Sequence, residues 1–294
     1  MNGVRISAYA KVNLSLEVLG KRQDGFHEVL TVMQSISLAD ELEMAPAADL
    51  TLACQPHFCD VGDNLVLRAA RMLRAAHEDA PGARITLRKG IPVAGGLGGA
   101  SADAAAALIG LARLWGLDLP ASRLREMAAD LGSDVPFFLL GGTALASGRG
   151  EKTSLLPDLP PRWLVLLVPP HSLAAKTAEL YRRLTPANWS DGTRTKRLAG
   201  AIAERREVGE DLLGNSFEAV ADEVFPSLPE FRGAMMDAGV PAVRLSGAGP
   251  ALFALLPDSA AASAVADRLR SAGYHPLVAR TLTAEEALPR PVPF

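Results

Sequence analysis

The sequence predicts an α+β protein of two domains, and three observations carry that prediction. Residues 4–18 alternate apolar and polar side chains over a strand's length. A glycine-dense stretch over residues 91–103 lies between a strand pattern at 84–89 and an alanine-rich run at 104–114. Beyond the proline-rich segment 155–162, the main elements follow the order β, α, β, β, α, β, which suits a ferredoxin-like split βαβ domain. With 294 residues there is enough chain for two cores. The proline-rich segment is the expected junction, giving an N-terminal domain over 1–158 and a C-terminal domain over 159–294.

In chain order, Val4, Ile6, Ala8, Ala10, Val12, Leu14, Leu16 and Val18 share one face of the first strand, so Lys11 and Asn13 emerge side by side on the opposite, polar face. A polar turn over 20–28 contains Phe26 and His27, and a second alternating segment covers 29–38. A further strand is predicted over 42–53 and a loop over 54–63. Residues 64–76 have helical spacing, with Asp63 or Asn64 as cap. An amphipathic helix follows at 122–131, then a short strand at 143–146. In the second half, strands are predicted at 163–168, 243–246, 251–256 and 274–282, and helices at 173–184 and 259–272. Ser227 and Glu230 match a capping box, and Gly239 supplies that helix's stop.

The bulk numbers exclude several function classes. Thirty basic and 33 acidic residues leave a net charge of -3, so neither nucleic acid nor an anionic membrane is an expected partner. The strongest apolar run, at 163–168, has strand length rather than bilayer-spanning length, and residues 1–15 lack a signal peptide's apolar region. Cys54 and Cys59 are too few for a disulfide framework and read as reduced thiols, with the cytoplasm as expected location.

Two stretches carry chemistry. Glycines at a strand-to-helix turn let backbone N–H groups approach a phosphate at the positive end of a helix dipole, although the spacing is neither a Walker A loop nor a dinucleotide fingerprint. An ordinary tight turn with Ser101 as helix cap is the other reading of the same residues. Asp134 sits directly before the apolar run 135–140. It reads either as a helix N-cap, with Pro136 in the first turn, or as the flanked carboxylate that a general base requires.

Taken together, Ala10-Lys11-Val12-Asn13-Leu14, the stretch Pro92 to Ser101 and Ser246-Gly247-Ala248-Gly249-Pro250 resemble the GHMP kinases in three places and in the expected order. The resemblance spans nearly the whole chain. Asp24-Gly25-Phe26-His27-Glu28 with the segment Gly132 to Phe138 points to the branch acting on a cytidine diphosphate-linked methylerythritol. The alternatives are a GHMP kinase of homoserine or mevalonate type and a catalytically silent nucleotide-binding relative. The resemblance implies the two-domain GHMP kinase fold, whose N-terminal domain is ribosomal protein S5 domain 2-like, and a kinase that phosphorylates the acceptor's 2-hydroxyl.

Residue by residue, it implies a catalytic pair in Lys11 and Asp134. ATP would be bound by Asn64, Pro92, Val93, Ala94, Gly95, Gly96, Leu97, Gly98, Gly99, Ala100, Ser101 and Ala102. Asn13, Phe26, His27 and Tyr181 would bind the cytidine-linked acceptor, Phe26 and Tyr181 at the cytosine ring. ATP is the implied co-substrate, magnesium is expected with it without a named protein ligand, and the chain is expected as a monomer or weak homodimer. Four positions depart from the family's usual residues: Ala100 and Ala102 in the glycine loop, Phe26 in place of tyrosine, and Ser216 where an aspartate is frequent.

Overall fold

The computed structural model describes residues 3–56, 64–77, 80–170 and 175–294. Cys59, Asp63 and the expected start of a helix at Leu173 lie outside the described residues. The first half consists of β1 (Val4–Lys21), β2 (His27–Ala47), β3 (Thr51–Gln55), α1 (Leu65–Ala76), β4 (Gly82–Arg88), α2 (Gly99–Trp115), α3 (Ala121–Leu131), α4 (Val135–Phe138), β5 (Thr143–Ser147) and β6 (Lys152–Leu155). The second half consists of β7 (Trp163–Leu167), α5 (Lys176–Arg183), α6 (Thr193–Ala203), β8 (Gly214–Asn215), α7 (Ala221–Val224), α8 (Leu228–Asp237), β9 (Arg244–Leu245), β10 (Leu252–Leu256), α9 (Ser259–Ser271), β11 (Leu277–Arg280), α10 (Ala284–Ala287) and β12 (Val292–Pro293).

Two sheets organise the chain. The first runs β12-β1-β2-β4-β3, with β5 and β6 continuing from β2 and β8 parallel to β1. The second runs β11-β7-β10-β9, antiparallel throughout, which is the strand arrangement of a ferredoxin-like split βαβ unit. The expected segments at 29–38 and 42–53 differ from what is observed, because β2 continues unbroken to Ala47 and β3 is a separate strand. Strand β2 holds that length because it pairs with β1 first and with β4 beyond.

The apolar stripe of β1 is divided among three cores. Val4, Ile6 and Ala8 pack with α1 and α2, whereas Ala10, Val12 and Leu14 join Leu164 and Leu166 between the two sheets. Leu16 and Val18 belong to the second sheet's core. Register irregularities at Tyr9/Ala10 and Asn13/Ser15 re-aim the side chains between these groups, as bulges do.

Helix α2 is buried on nearly every side. Its alanines at 102 and 104–107 let it approach the sheet and α1 closely, and a Cβ at Gly110 would lie 2.8 Å from the Met44 sulfur. The expected capping box at Ser227 is not formed: Ser227 makes no side-chain cap bond, because Glu230 instead accepts from the Tyr274 hydroxyl at 3.1 Å. Gly239 does end the helix, at φ +84°. Cys54, read as a reduced thiol, is disulfide-bonded. Among the described residues no helix is long and apolar enough to cross a membrane.

Candidate active site

Strand β1 positions the first charged group. Lys11 pairs opposite Ser35 on β2, and its backbone N–H donates to the Leu97 carbonyl at 2.9 Å, drawing the glycine loop onto the strand. On the polar face of β1, Arg5 is exposed and Ser7 and Tyr9 are half-buried, whereas Lys11 is only 3% exposed and Asn13, Ser15 and Glu17 are buried with it. Their cover comes from the second half of the chain, where the Thr195 N–H donates to Glu17 at 2.6 Å and Gly247 lies against Lys11 and Asn13.

A buried ammonium needs partners. Lys11 Nζ donates to Asn13 Oδ1 at 2.5 Å and lies 3.4 Å from Asp134 Oδ2. Asn13 is oriented in turn, donating from Nδ2 to Thr31 Oγ1 at 2.8 Å, and Thr31 donates to the Ser15 carbonyl at 2.6 Å. Asp134 does stand at the N-cap position of α4, with Pro136 in the first turn, yet its side chain makes no cap bond. The carboxylate therefore turns to Lys11, and it is 37% exposed to the cavity.

The glycine loop is held by its carbonyls. Leu97 O accepts from Lys11, Gly96 O accepts from Ser246 Oγ at 3.0 Å, and Gly95 O accepts from Ala251 N at 2.9 Å. Gly96 has φ +85°, and a Cβ there would lie 2.3 Å from the Ser246 carbonyl, so only glycine fits. Helix α2 then begins at Gly99 with Gly98 as a left-handed cap residue and no side-chain cap. Ser101 is thus inside the helix. Among the described residues none accepts from the first-turn N–H groups of Gly99, Ala100 and Ser101, which leaves them to an anion.

One cavity of about 1230 Å3 collects these groups. Single-ligand pockets run to about 1,000 Å3, so there is room here for a nucleotide and a second molecule. Lys11, Asn13, Phe26, His27, Asn64, Asp134, Tyr181 and residues 92–101 all line it. Ala102 does not: it is 1% exposed and packed in the core around α2, because the helix has already turned it away from the loop. Asn64 caps α1, its Oδ1 accepting from Val66 N at 2.9 Å.

At the aromatic end, the ring on Tyr181 is that of His27, stacked at 4.5 Å and 15°, while Phe217 meets Tyr181 edge-on at 4.9 Å. Phe26 instead lies beneath the Arg149 guanidinium, 4.8 Å from the ring centre. Burial and the charge of Lys21 push the His27 imidazole below its ordinary value, so it stacks as a neutral ring. Burial, then the Asp134 charge, pushes the Tyr181 phenol up to about 12.

Sequence reasoning missed six charged residues of this cavity, Lys21, Lys89, Asp103, Arg149, Lys176 and Arg182. Lys89 is held between Asp40 and Asp103, donating to Asp103 at 2.8 Å, and Asp40 also accepts from Gly90 N and Ile91 N at 2.7 and 2.8 Å, which anchors the loop's entry. A charge directly before Gly90 was the available signal for Lys89, and an acid following the glycines was the signal for Asp103. Arg149 and Lys176 carried none, since both depend on contacts made only in the folded chain.

Comparison with known proteins adds to this geometry. Residues 64–142 match the GHMP kinases N terminal domain and residues 198–275 the GHMP kinases C terminal family. A 4-diphosphocytidyl-2-C-methyl-D-erythritol kinase of Pelotomaculum thermopropionicum is 45% identical over 280 residues, covering 93% of this chain and 96% of its own. One from Dehalococcoides mccartyi strain CBDB1 is 41% identical over 276 residues, covering 94% and 97%. A crystal structure of 4-(cytidine 5'-diphospho)-2C-methyl-D-erythritol kinase superposes with a TM-score of 0.79 at 36% identity, covering 94% of this chain and 98% of that one.

Proposed function

The chain belongs to the GHMP kinases, and within them to the family of 4-diphosphocytidyl-2-C-methyl-D-erythritol kinases; from that premise we propose that it phosphorylates the 2-hydroxyl of that cytidine-linked sugar alcohol with ATP, a step of non-mevalonate isoprenoid biosynthesis. The observation that carries the reading is the 3.4 Å approach of Lys11 Nζ to Asp134 Oδ2, in a cavity with an open helix N-terminus at one end and stacked rings at the other. Phosphoryl transfer asks the protein for positioning, charge neutralisation and a proton acceptor.

In this reading Asp134 takes the proton of the attacking hydroxyl. The hydroxyl oxygen forms a bond to the terminal phosphorus of ATP, while the bond from that phosphorus to its bridging oxygen breaks and ADP leaves with the electron pair. Lys11 orients Asp134 and offsets negative charge on the moving group. Residues 92–101 wrap the phosphates and Asn64 stands at the adenine end, whereas Ala102 supports α2 from the core. Arg149, reaching from the turn beside Asp134 to the Phe26 ring, spans the path along which the acceptor's diphosphate joins base to sugar alcohol.

Magnesium fits as part of the nucleotide. Among the described residues no three His, Cys, Asp or Glu side chains gather to hold a metal, and an ion that keeps phosphate and water ligands needs only one or two protein oxygens. Asp134 and the Ser101 hydroxyl line the cavity and can supply them. The bound ion would neutralise phosphate charge.

Small-molecule substrates support work in the cytoplasm, and the proposed state is a monomer or weak homodimer. The test is ADP release with the cytidine-linked methylerythritol against free methylerythritol, homoserine and mevalonate, with CMP as competitor. Turnover confined to the cytidine-linked acceptor and inhibited by CMP is expected. Equal turnover with homoserine or mevalonate overturns the acceptor assignment.

A further inference from the structure

Lys176 opens α5 and turns its side chain inward. The residue is 8% exposed, and its Nζ donates to the Gly249 carbonyl and, at 3.4 Å, to the Ala248 carbonyl. The charge that acts on it is that of Lys11, and among the described residues no carboxylate pairs with it. Burial first, and then Lys11, bring its ammonium down to about 8. Two buried ammonium groups that share one cavity repel each other until an anion enters between them.

The backbone around Lys176 shows which anion belongs there. Ala248 and Gly249 lie in the loop 246–250, whose Ser246 bonds the Gly96 carbonyl and whose Gly247 would bring a Cβ within 3.2 Å of Lys11 Nζ. Lys176, Lys11 and the uncapped first turn of α2 therefore face one volume where the two glycine loops meet. We propose that Lys176 and Lys11 grip the terminal phosphate of the nucleoside triphosphate between them, so that Lys176 is a phosphate-binding residue of the donor site. The inference rests on the proposed reading only for the identity of the donor as ATP.

Other groups do not offer that volume a competing anion. Asp134 is engaged by Lys11, and Asp103 and Asp40 by Lys89; the Tyr181 phenol is held neutral by burial. The third hydrogen of the Lys176 ammonium remains for a phosphate oxygen once two have gone to carbonyls.

Calorimetric binding of a non-hydrolysable ATP analogue, ADP and CDP to the full chain tests this, with wild type, Lys176→Met and Lys176→Arg side by side. Lys176→Met is expected to weaken the triphosphate analogue by roughly 10- to 100-fold, the range for a lost charge-assisted hydrogen bond, and ADP and CDP by less than about 3-fold. Lys176→Arg is expected to recover part of the loss. At pH 8 the wild type is expected to take up a fraction of a proton on binding the analogue, read from buffers of different ionisation enthalpy, because a phosphate beside Lys176 restores its charge.

An equal loss for ADP and the analogue would mean that Lys176 only supports the loop, and a loss confined to CDP would move it to the acceptor's diphosphate; either outcome overturns the proposal. So does unchanged binding. Should Lys176→Met fold poorly, absence of proton uptake in the wild type overturns it alone. Failure of CDP to bind the wild type would strike the acceptor reading and leave the nucleotide arms to decide Lys176.

Discussion

Lys11 Nζ lies 3.4 Å from Asp134 Oδ2, and the carboxylate that meets it belongs to an N-cap residue whose side chain caps nothing. Asp134→Asn is therefore expected to leave melting temperature and nucleotide binding within error while turnover falls roughly 10² to 10⁴-fold, the range for a lost general base. Lys11→Met keeps the aliphatic packing against Gly98 but strands Asn13 Oδ1 and Asp134, so it is expected to lose both turnover and about 1 to 3 kcal/mol of stability. Turnover assays with parallel denaturant melts check both variants. Near-normal rates in Asp134→Asn would return that residue to a structural role.

The two alanines of the glycine loop are expected to respond differently. Ala100 is exposed in the cavity, and Ala100→Gly, which removes a Cβ beside the phosphate site, is expected to preserve or tighten ATP binding. Ala102→Ser places a hydroxyl in a packed core and is expected to lower the melting temperature by a few degrees without changing ATP affinity. An ATP affinity that moved with Ala102→Ser would mean that this position reaches the nucleotide after all.

At the acceptor end, His27 and Tyr181 already form a stacked pair, so a cytosine must either add to that stack or replace one face of it. Tyr181→Ala and His27→Ala are each expected to weaken acceptor binding by roughly 5- to 150-fold, the value of about 1 to 3 kcal/mol per stacked base, with the ATP constant unchanged. Phe26→Ala is expected to lose less than either, because its ring faces Arg149 instead of Tyr181. A greater loss in Phe26→Ala would show that the base enters against Phe26, with His27 displaced.

Asp103 makes a stability prediction. Its burial, with Asp40 also sharing Lys89, raises its carboxyl to about 8, and its Oδ1 is buried without a partner. An acid raised in the folded state keeps a proton that the unfolded chain releases near 4, so its contribution is greatest below about 4 and declines as pH rises to about 8. Asp103→Asn is expected to flatten that decline in melts between pH 5 and 9. A slope as steep as that of the wild type would show that another group carries it.

Much of this site was legible because it depends on local order. Alternation alone set Lys11 beside Asn13, and glycine at 96 and 98 followed from a turn that leaves no room for a Cβ and passes directly into a helix. The junction of an acid with an apolar run likewise marked Asp134. Whether its carboxylate caps α4 was not local, since only the approach of β1 brings Lys11 near enough to draw the carboxylate away.

By itself the sequence determined the two-sheet architecture, the glycine loop at a helix start, and the cavity's Lys11, Asn13 and Asp134, since periodicity, turn chemistry and helix starts act over a few neighbouring residues. Tertiary structure alone decided that Lys11, Asn13, Ser15 and Glu17 on the polar face of β1 are buried, that His27 is the ring stacked on Tyr181, that Ala102 belongs to the core, and that Lys176 faces Lys11. Those outcomes rest on contacts between residues far apart in the chain, such as Glu17 and Thr195, 178 positions apart, where chain order carries no distance information and the packing of one sheet on another sets which charges share a volume.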